Sequence, residues 1–524
     1  MLIHFFTNWF LKIKKMKSKL LFFLLLYFIG GLSVNAQLRF EKHYGGGGFE
    51  EGNDVRQTLD GGYIMVGQTQ TYGVNGYDDV YLIKTDVTGD TLWTKTFGGT
   101  NYDKGYSVEQ TTDSGYIVTG LTNSFVTSGE GVYLIKTDKN GKLLWSKVYG
   151  GNLGGTGHSV KQTTDGGYII GGTKVSLGGI HDAVLIKTDA AGDTLWTKTF
   201  GGSGDDYGLS VVQATDGGYI LAGSGSTTGV CLVKTNSAGG VLWTKTFYTG
   251  IPHINYPYCI QHTADKGFII AGIAYNSNID MYVLKIDSIG STQWAKTLSG
   301  SSHDYAMSIQ QTTDGGYIMG GWSQSFPSSG EYHSTVIRLD AIGDTVWTKI
   351  FDGGGGASFG YSVRQTTDGG FIFLSTAYQD MYLVKMDSNG NSSCNVGSAP
   401  AEAIPVTHTL TPFTEIYSGG TVTIPATIVM GGGIVSTLCS TVGINEFAIY
   451  NSISAYPNPF TNELKIRSTI RSEIVLYNAL GIEILRKIIS IGETTVNTTN
   501  LLSGLYFLHY TNGNKTSSIK IMKF

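Results

Sequence analysis

Charge is what this 524-residue chain has least of: 15% of its residues are Asp, Glu, Lys or Arg, where ~25% is usual. The 36 basic residues face 40 acidic ones, for a net charge of −4, and no basic run lies beyond the extreme N-terminus. The electrostatic footprint of a nucleic-acid-binding protein is therefore missing. Proline is scarce, at nine residues, so the 74 glycines belong neither to a collagen-like repeat nor to a Pro-rich disordered tract. The four cysteines have no zinc-type spacing and the ten histidines are scattered without a metal-ligand pair. A nucleophile elbow is absent, and glycine pairs such as Gly98-Gly99 and Gly150-Gly151 do not open helices, so they are not phosphate loops. What is there is 41% hydrophobic and 12% aromatic residues with about twice the usual glycine, the composition of ordered, turn-rich β structure.

The N-terminus reads as an export signal. Lys12, Lys14, Lys15, Lys17 and Lys19 precede an apolar run from Leu20 to Leu32 that ends in Ser33-Val34-Asn35-Ala36. That run is too short for a membrane-spanning helix, which needs ~20 apolar residues, and it places cleavage between Ala36 and Gln37. Met16 to Ala36 is a complete signal by itself, so Met16 is an alternative start. The mature chain is then expected to lack a transmembrane segment and to lie outside the cytoplasm.

Residues 54 to 387 repeat. The clearest mark is Asp, two small positions and an aromatic, at Asp60-Gly61-Gly62-Tyr63, Asp113-Ser114-Gly115-Tyr116, Asp165-Gly166-Gly167-Tyr168, Asp216-Gly217-Gly218-Tyr219, Asp265-Lys266-Gly267-Phe268, Asp314-Gly315-Gly316-Tyr317 and Asp368-Gly369-Gly370-Phe371. A second is a Trp in Leu-Trp-Thr-Lys-like segments, at Trp93, Trp145, Trp196, Trp243, Trp294 and Trp347. A period near 50 residues means stacked or radial units. Each unit reads as four short antiparallel strands with hairpin-turn chemistry between them, which is a propeller blade. The seventh unit lacks its Trp strand, but Phe40-Glu41-Lys42-His43-Tyr44-Gly45-Gly46 aligns with Trp93 to Gly99 and can supply it, closing the ring and removing its open sheet edges. The expectation is an all-β protein, a seven-bladed β-propeller over residues 37–393 followed by a small Ig-like β-sandwich. The turn Asp and Gly residues read as folding determinants.

Lys84-Thr85-Asp86-Val87-Thr88-Gly89-Asp90-Thr91-Leu92-Trp93 resembles the turn of quinoprotein-type propellers in which the Trp docks between blades, and the order of strands resembles the kelch pattern. Both resemblances imply the fold; neither brings a quinone- or metal-binding set. In such blades the loops between second and third strands and the blade-to-blade links share one face, and here they are the connections that vary. Candidate ligand-binding residues on that face are Tyr102, Asp103, Asp205, Asp206, Tyr207, His303, Asp304, Trp322 and Tyr332. Aromatics among carboxylates suit sugar stacking with hydroxyl hydrogen bonds, or calcium, the one cofactor the residues suggest. The favoured reading is a non-enzymatic binder of glycan or protein ligands. The alternative is an extracellular polysaccharide hydrolase or lyase, whose two carboxylates must face each other across a bond.

Cys231 and Cys259 fall at strand positions and read as buried thiols, while Cys394 and Cys439 are expected to form a disulfide in an exported chain. They flank a β-rich linker or appendage, 394–445. Over 446–524 the pattern changes to short alternating strands. Tyr456-Pro457-Asn458-Pro459-Phe460, Leu476 to Gly481, Leu501 to Phe507 with Gly504 and Tyr506, and a final Lys520-Ile521-Met522-Lys523 resemble, in order, the type A C-terminal sorting domain of type IX secretion cargo in Bacteroidota. Phe524 extends one residue past that family's usual ending. The resemblance implies Sec export, passage through the type IX machinery, removal of the domain by its sortase, and attachment to surface lipopolysaccharide or release.

Overall fold

The computed structural model describes residues 37–524 apart from 151–153, 176–179, 226–227, 249–254, 276–277, 327–329, 457–459, 469–470, 479–481, 513–514 and 524; between 393 and 452 it describes only strand backbones. The signal segment with Ala36, then Cys394, Pro457, Asn458, Pro459 and Gly481, lie outside the described residues. Two compact units divide at Thr441 and Val442.

The first unit is a seven-bladed propeller. Blade 1 contains Glu50–Gln57, Tyr63–Thr69, Asp79–Thr85 and Thr91–Gly98, running antiparallel from the central channel outward. The following blades repeat this order. In blade 1 every residue of the second and third strands is buried, because neighbouring blades cover both faces. That is why Tyr63-Ile64-Met65-Val66 and Val80-Tyr81-Leu82-Ile83 read as continuous apolar runs. Blade 7 is completed as its repeat pattern requires: Arg39–Gly45 pairs antiparallel with Asp380–Met386, Phe40 opposite Lys385.

Three contacts recur around the ring. In the hairpin between first and second strands, Asp60 accepts from Thr58 Oγ1 at 2.5 Å, from the Gly62 amide at 3.1 Å and from Lys84 Nζ at 3.0 Å. A basic side chain ending the third strand makes this contact in all seven blades, and six of the seven are lysine. Farther out, the Trp of one blade rests on the left-handed glycine of the next blade's turn. A Cβ at Gly141 (φ +75°) would stand 2.8 Å from the Trp93 ring, and one at Gly89 (φ +78°) 2.7 Å from Phe40, which holds the Trp position as the alignment implies. Only glycine tolerates both the backbone and the contact. At the channel, Ser107, Ser159, Ser210 and Ser308 each accept an amide hydrogen from the first strand of the next blade.

The segment expected as a linker or appendage is instead a belt. Its strands Gly397–Ser398, Glu402–Pro405, Thr409–Thr411, Ile416–Tyr417, Val422–Thr423, Ile428–Met430 and Ile434–Thr441 pair antiparallel, one per blade, with blades 6, 5, 4, 3, 2, 1 and 7. Each blade is therefore five-stranded. The last belt strand lies on Arg39–Gly45, with Gly45 opposite Ile434 and Arg39 opposite Thr441. The Cys394–Cys439 pairing involves a residue outside the described set. Cys231 and Cys259 are buried.

The second unit has a three-stranded sheet, Ile453–Tyr456, Glu463–Ser468 and Gly492–Asn497, and a four-stranded one, Glu483–Ile489, Ser472–Asn478, Gly504–Asn512 and Lys515–Lys523. Phe460, Leu464, Ile466, Ile474, Leu476, Leu508 and Ile521 form one core between them. Of the motif residues, Tyr506 is buried with its hydroxyl on Leu502 O at 2.7 Å, Gly504 has a φ of +149°, and Tyr456 donates to Glu493 at 2.5 Å. Lys523 is buried, bonds Thr461 O and lies 5.8 Å from the Phe460 ring centroid.

Candidate functional site

The variable connections meet on one face. The Asp103 amide donates to Asp78 O at 2.7 Å and that of Asn123 to Tyr102 O at 2.8 Å, joining a blade link to the loops between second and third strands on either side. The opposite face carries the short repeated turns.

Asp103, Asp206 and Asp304, expected on the variable face, lie beneath it. Each begins the first strand of its blade and is buried. Each carboxylate accepts the amide of a glycine four residues earlier: Gly99 at 2.8 Å, Gly202 at 2.7 Å and Gly300 at 3.1 Å. Glu50 does the same for Gly46 at 2.9 Å. They fix the blade link where the chain crosses to the next blade, and loop polarity in the sequence concealed that burial.

Each of these carboxylates has an acidic neighbour from the preceding blade's third strand: Asp79 beside Asp103, Asp182 beside Asp206, Asp280 beside Asp304, and Asp380 beside Glu50. A Cβ at Gly98 would stand 2.1 Å from Asp79 Oδ1 and 2.8 Å from Asp103 Oδ2, so only glycine leaves room for both carboxyls. Burial, reinforced by the neighbouring charge, pushes Asp79 up to about 7 and Asp206, Asp280 and Asp380 up to about 6. One proton held between two carboxyls is the arrangement this favours. Among the described residues no group of three or more His, Cys, Asp or Glu could hold a metal ion.

The other expected residues divide. Asp205 is half-buried and accepts both the amide of His181 at 2.9 Å and its Nδ1 at 3.1 Å. His303 Nδ1 accepts from the Ile279 amide at 3.2 Å, fixing a loop. Tyr102 packs edge-on against Tyr77 at 4.8 Å. Tyr207, Trp322 and Tyr332 join a larger arrangement that residue-by-residue reading missed. Tyr207 stacks on His181 at 5.4 Å and meets Tyr256 at 6.1 Å, which stacks on Tyr258 at 6.0 Å. Farther round, Tyr305 stacks on Trp322 at 5.0 Å, Trp322 meets Phe359 at 5.6 Å and Tyr361 at 5.4 Å, and Tyr332 meets Phe359 at 5.7 Å. An aromatic arc thus spans blades 4 to 7.

The arc follows from one strand position. The residue after the link-fixing position is Tyr207, Tyr256, Tyr305 or Phe359 in blades 4 to 7, but Glu51, Lys104 or Thr156 in blades 1 to 3. Aligning the seven units at Asp103, Asp206 and Asp304 displays that asymmetry, which is the signal in the sequence. Two hollows open along the arc. One of ≈ 290 Å³ is lined by His158, His181, Tyr207, Tyr256 and Tyr258. The other, of ≈ 520 Å³, is lined by Phe49, Trp322, Phe359, Tyr361 and Tyr378 and is mainly apolar. Tyr378 and Gln379 hold left-handed φ values of +54° and +68°, uncommon for residues other than glycine, and Tyr378 is 59% exposed at the hollow.

Residues 454–523 match a family described as a secretion system C-terminal sorting domain. The chain therefore carries an address for type IX secretion and surface location, and its tail engages that machinery. No helix among the described residues is long and apolar enough to cross a membrane. No curated protein matches the chain. Among solved structures, Sqt1 from Chaetomium thermophilum is similar with 11% identity over 67% of this chain and 99% of its own, at a TM-score of 0.40. A glucose dehydrogenase has 11% identity over 54% and 96%, at 0.34. PorZ, a bacterial surface component of the type IX secretion system of Porphyromonas gingivalis, has 7% identity over 90% and 81%, at 0.20. Likenesses this distant carry no weight for what the chain does.

Proposed function

We propose that the protein is an exported binding module that holds a glycan on the aromatic arc of its propeller without transforming it. The observation that carries this reading is the one-sided row of stacked rings, Tyr207, Tyr256, Tyr305, Trp322 and Phe359, beside two hollows on the face where the connections vary. Flat aromatic faces suit the apolar faces of sugar rings, and the tyrosine hydroxyls supply hydrogen bonds at the rim. The reading as a hydrolase or lyase needs carboxylates in contact with substrate, whereas Asp103, Asp206 and Asp304 are buried on backbone amides. On this proposal, residues 1–36 are removed on export, and the sortase replaces the C-terminal domain by attachment to lipopolysaccharide or releases the propeller.

A glycan array and polysaccharide pull-down with the mature chain, with and without calcium and followed by product analysis, tests the reading. Binding without released oligosaccharide is expected. Trp322→Ala and Tyr305→Ala should each weaken binding by about tenfold, the loss of roughly 1.4 kcal/mol of stacking. Released oligosaccharides, or binding indifferent to both substitutions, would refute it.

A further inference from the structure

The central channel carries chemistry that the aromatic face does not use. Seven first strands line it, and near the turn face a cavity of ≈ 80 Å³ gathers Arg56, Lys161 and Arg364 beside Asp54 and Ser308. Asp54 accepts from Arg56 Nη2 at 3.2 Å, Arg364 Nη2 at 3.5 Å and Ser362 Oγ at 2.8 Å. Among the described residues, Lys161 has only Glu109 within ion-pair reach, at 3.8 Å. Three cations thus share two carboxylates.

Two observations point to a missing negative partner. The Arg364 side chain is 91% buried, given its 9% exposure, and its Nε is buried without a hydrogen-bond acceptor, although Nη1 reaches Ser308 Oγ at 2.5 Å. A guanidinium donor left unsatisfied in a cavity is costly. Burial and the adjoining cations Arg56 and Arg364 also press the Lys161 ammonium toward losing its proton. An anion in the cavity would place a negative charge beside the Arg364 guanidinium and relieve the pressure on Lys161.

We propose that this end of the channel is a binding site for a small oxyanion, a sulfate, phosphate or carboxylate group, held by Lys161, Arg364 and Arg56. Serine hydroxyls around the same ring supply neutral donors. The cavity shares His158, Tyr258 and Tyr361 with the two hollows of the aromatic arc, but the cations that would hold the anion line neither hollow, so the proposal does not depend on the glycan reading. In an extended strand, five residues separate Lys104 on the rim from Glu109 at the level of the cluster, a distance of roughly 17 Å.

Isothermal titration calorimetry on the mature chain at constant ionic strength, with inorganic sulfate, inorganic phosphate and sodium glucuronate as probes, tests the site. Saturable binding of one anion per chain is expected for at least one probe. Binding of the inorganic ions identifies a free-ion site; binding of glucuronate alone identifies a carboxylate carried on a sugar. Lys161→Met, which leaves Asp54 paired with both arginines, should weaken binding at least tenfold. Arg364→Gln provides a second cut at the same donors; should it fail to fold, Lys161→Met decides alone. The absence of saturable binding by every probe, or equal affinity in wild type and Lys161→Met, would overturn the proposal.

Discussion

The repeated turn lock makes an asymmetric prediction. In blade 3, Lys187 Nζ is 2.9 Å from Asp165 Oδ2 and donates to Thr188 O at 2.8 Å; its side chain is 3% exposed, whereas that of Asp165 is 57% exposed. Removing either residue breaks the same ion pair but strands a different partner. Asp165→Ala leaves an ammonium buried on one carbonyl and also deletes the bonds from Thr163 Oγ1 at 2.5 Å and the Gly167 amide at 3.0 Å. The cost of an uncompensated buried charge and two lost hydrogen bonds is about 3–4 kcal/mol. Lys187→Met leaves a carboxylate that water solvates and that keeps those two bonds, while the Met chain fills the lysine's apolar path, so the cost is about 1 kcal/mol. The double substitution should be less damaging than Asp165→Ala alone, because no buried charge remains. Equilibrium urea unfolding of the mature chain, followed by tryptophan fluorescence, measures all three, with Trp145 on the blade 3 turn as reporter. If Lys187→Met costs as much as Asp165→Ala, burial of the ammonium is not what makes this contact matter.

Three further outcomes follow. Asp79, Asp206, Asp280 and Asp380 keep protons in the folded chain that the unfolded chain loses near pH 4, so the folded state binds more protons between about pH 4 and 7 and stability falls as pH rises through that window. Discounted for solvent screening, each contributes about 1 kcal/mol. Urea unfolding at pH 5 and pH 7.5 checks the sign, and greater stability at the higher pH would refute it. Below pH 4 the slope reverses, since hydrogen bonds and the facing lysines hold Asp113 and Asp265 down to about 2. Phe40→Ala empties a fully buried position where the ring closes and should cost about 3–5 kcal/mol in the same assay; a loss below 1 kcal/mol would mean that the closing strand is held by its backbone alone. A chain ending at residue 393 exposes the outer strand edge of every blade and should elute from size-exclusion chromatography as larger species; a monomer of unchanged melting temperature would show that the belt is dispensable.

Much of this was legible because the sequence repeats. Seven copies of Asp-x-Gly-aromatic and six of the Trp segment define the blades, and the Phe40 alignment closes them. The burial of Lys84, Lys136, Lys187, Lys234, Lys285 and Lys385 was not read from the sequence, although all six stand at the same place near the end of a third strand, because a lysine there reads as a solvated charge until the facing turn Asp is seen. Nor was the belt. Its strands are two to eight residues long, and what selects them is the free outer edge of a blade elsewhere in the chain, which leaves little periodicity of its own. The candidate site was half legible. Tyr207, Trp322 and Tyr332 could be named from loop position, but the burial of Asp103, Asp206 and Asp304 depends on a glycine amide four residues back. The aromatic arc comes from comparing one position across units that differ there.

The belt also determines where the chain can be divided without harm. Its final strand ends at Thr441, at the boundary between the two units. A cut just beyond it separates the sorting tail without removing a strand from any blade, while a cut a few residues earlier frays the clasp on Arg39–Gly45. The chain thus has a seam where a cut would free the delivery label and leave the cargo tied.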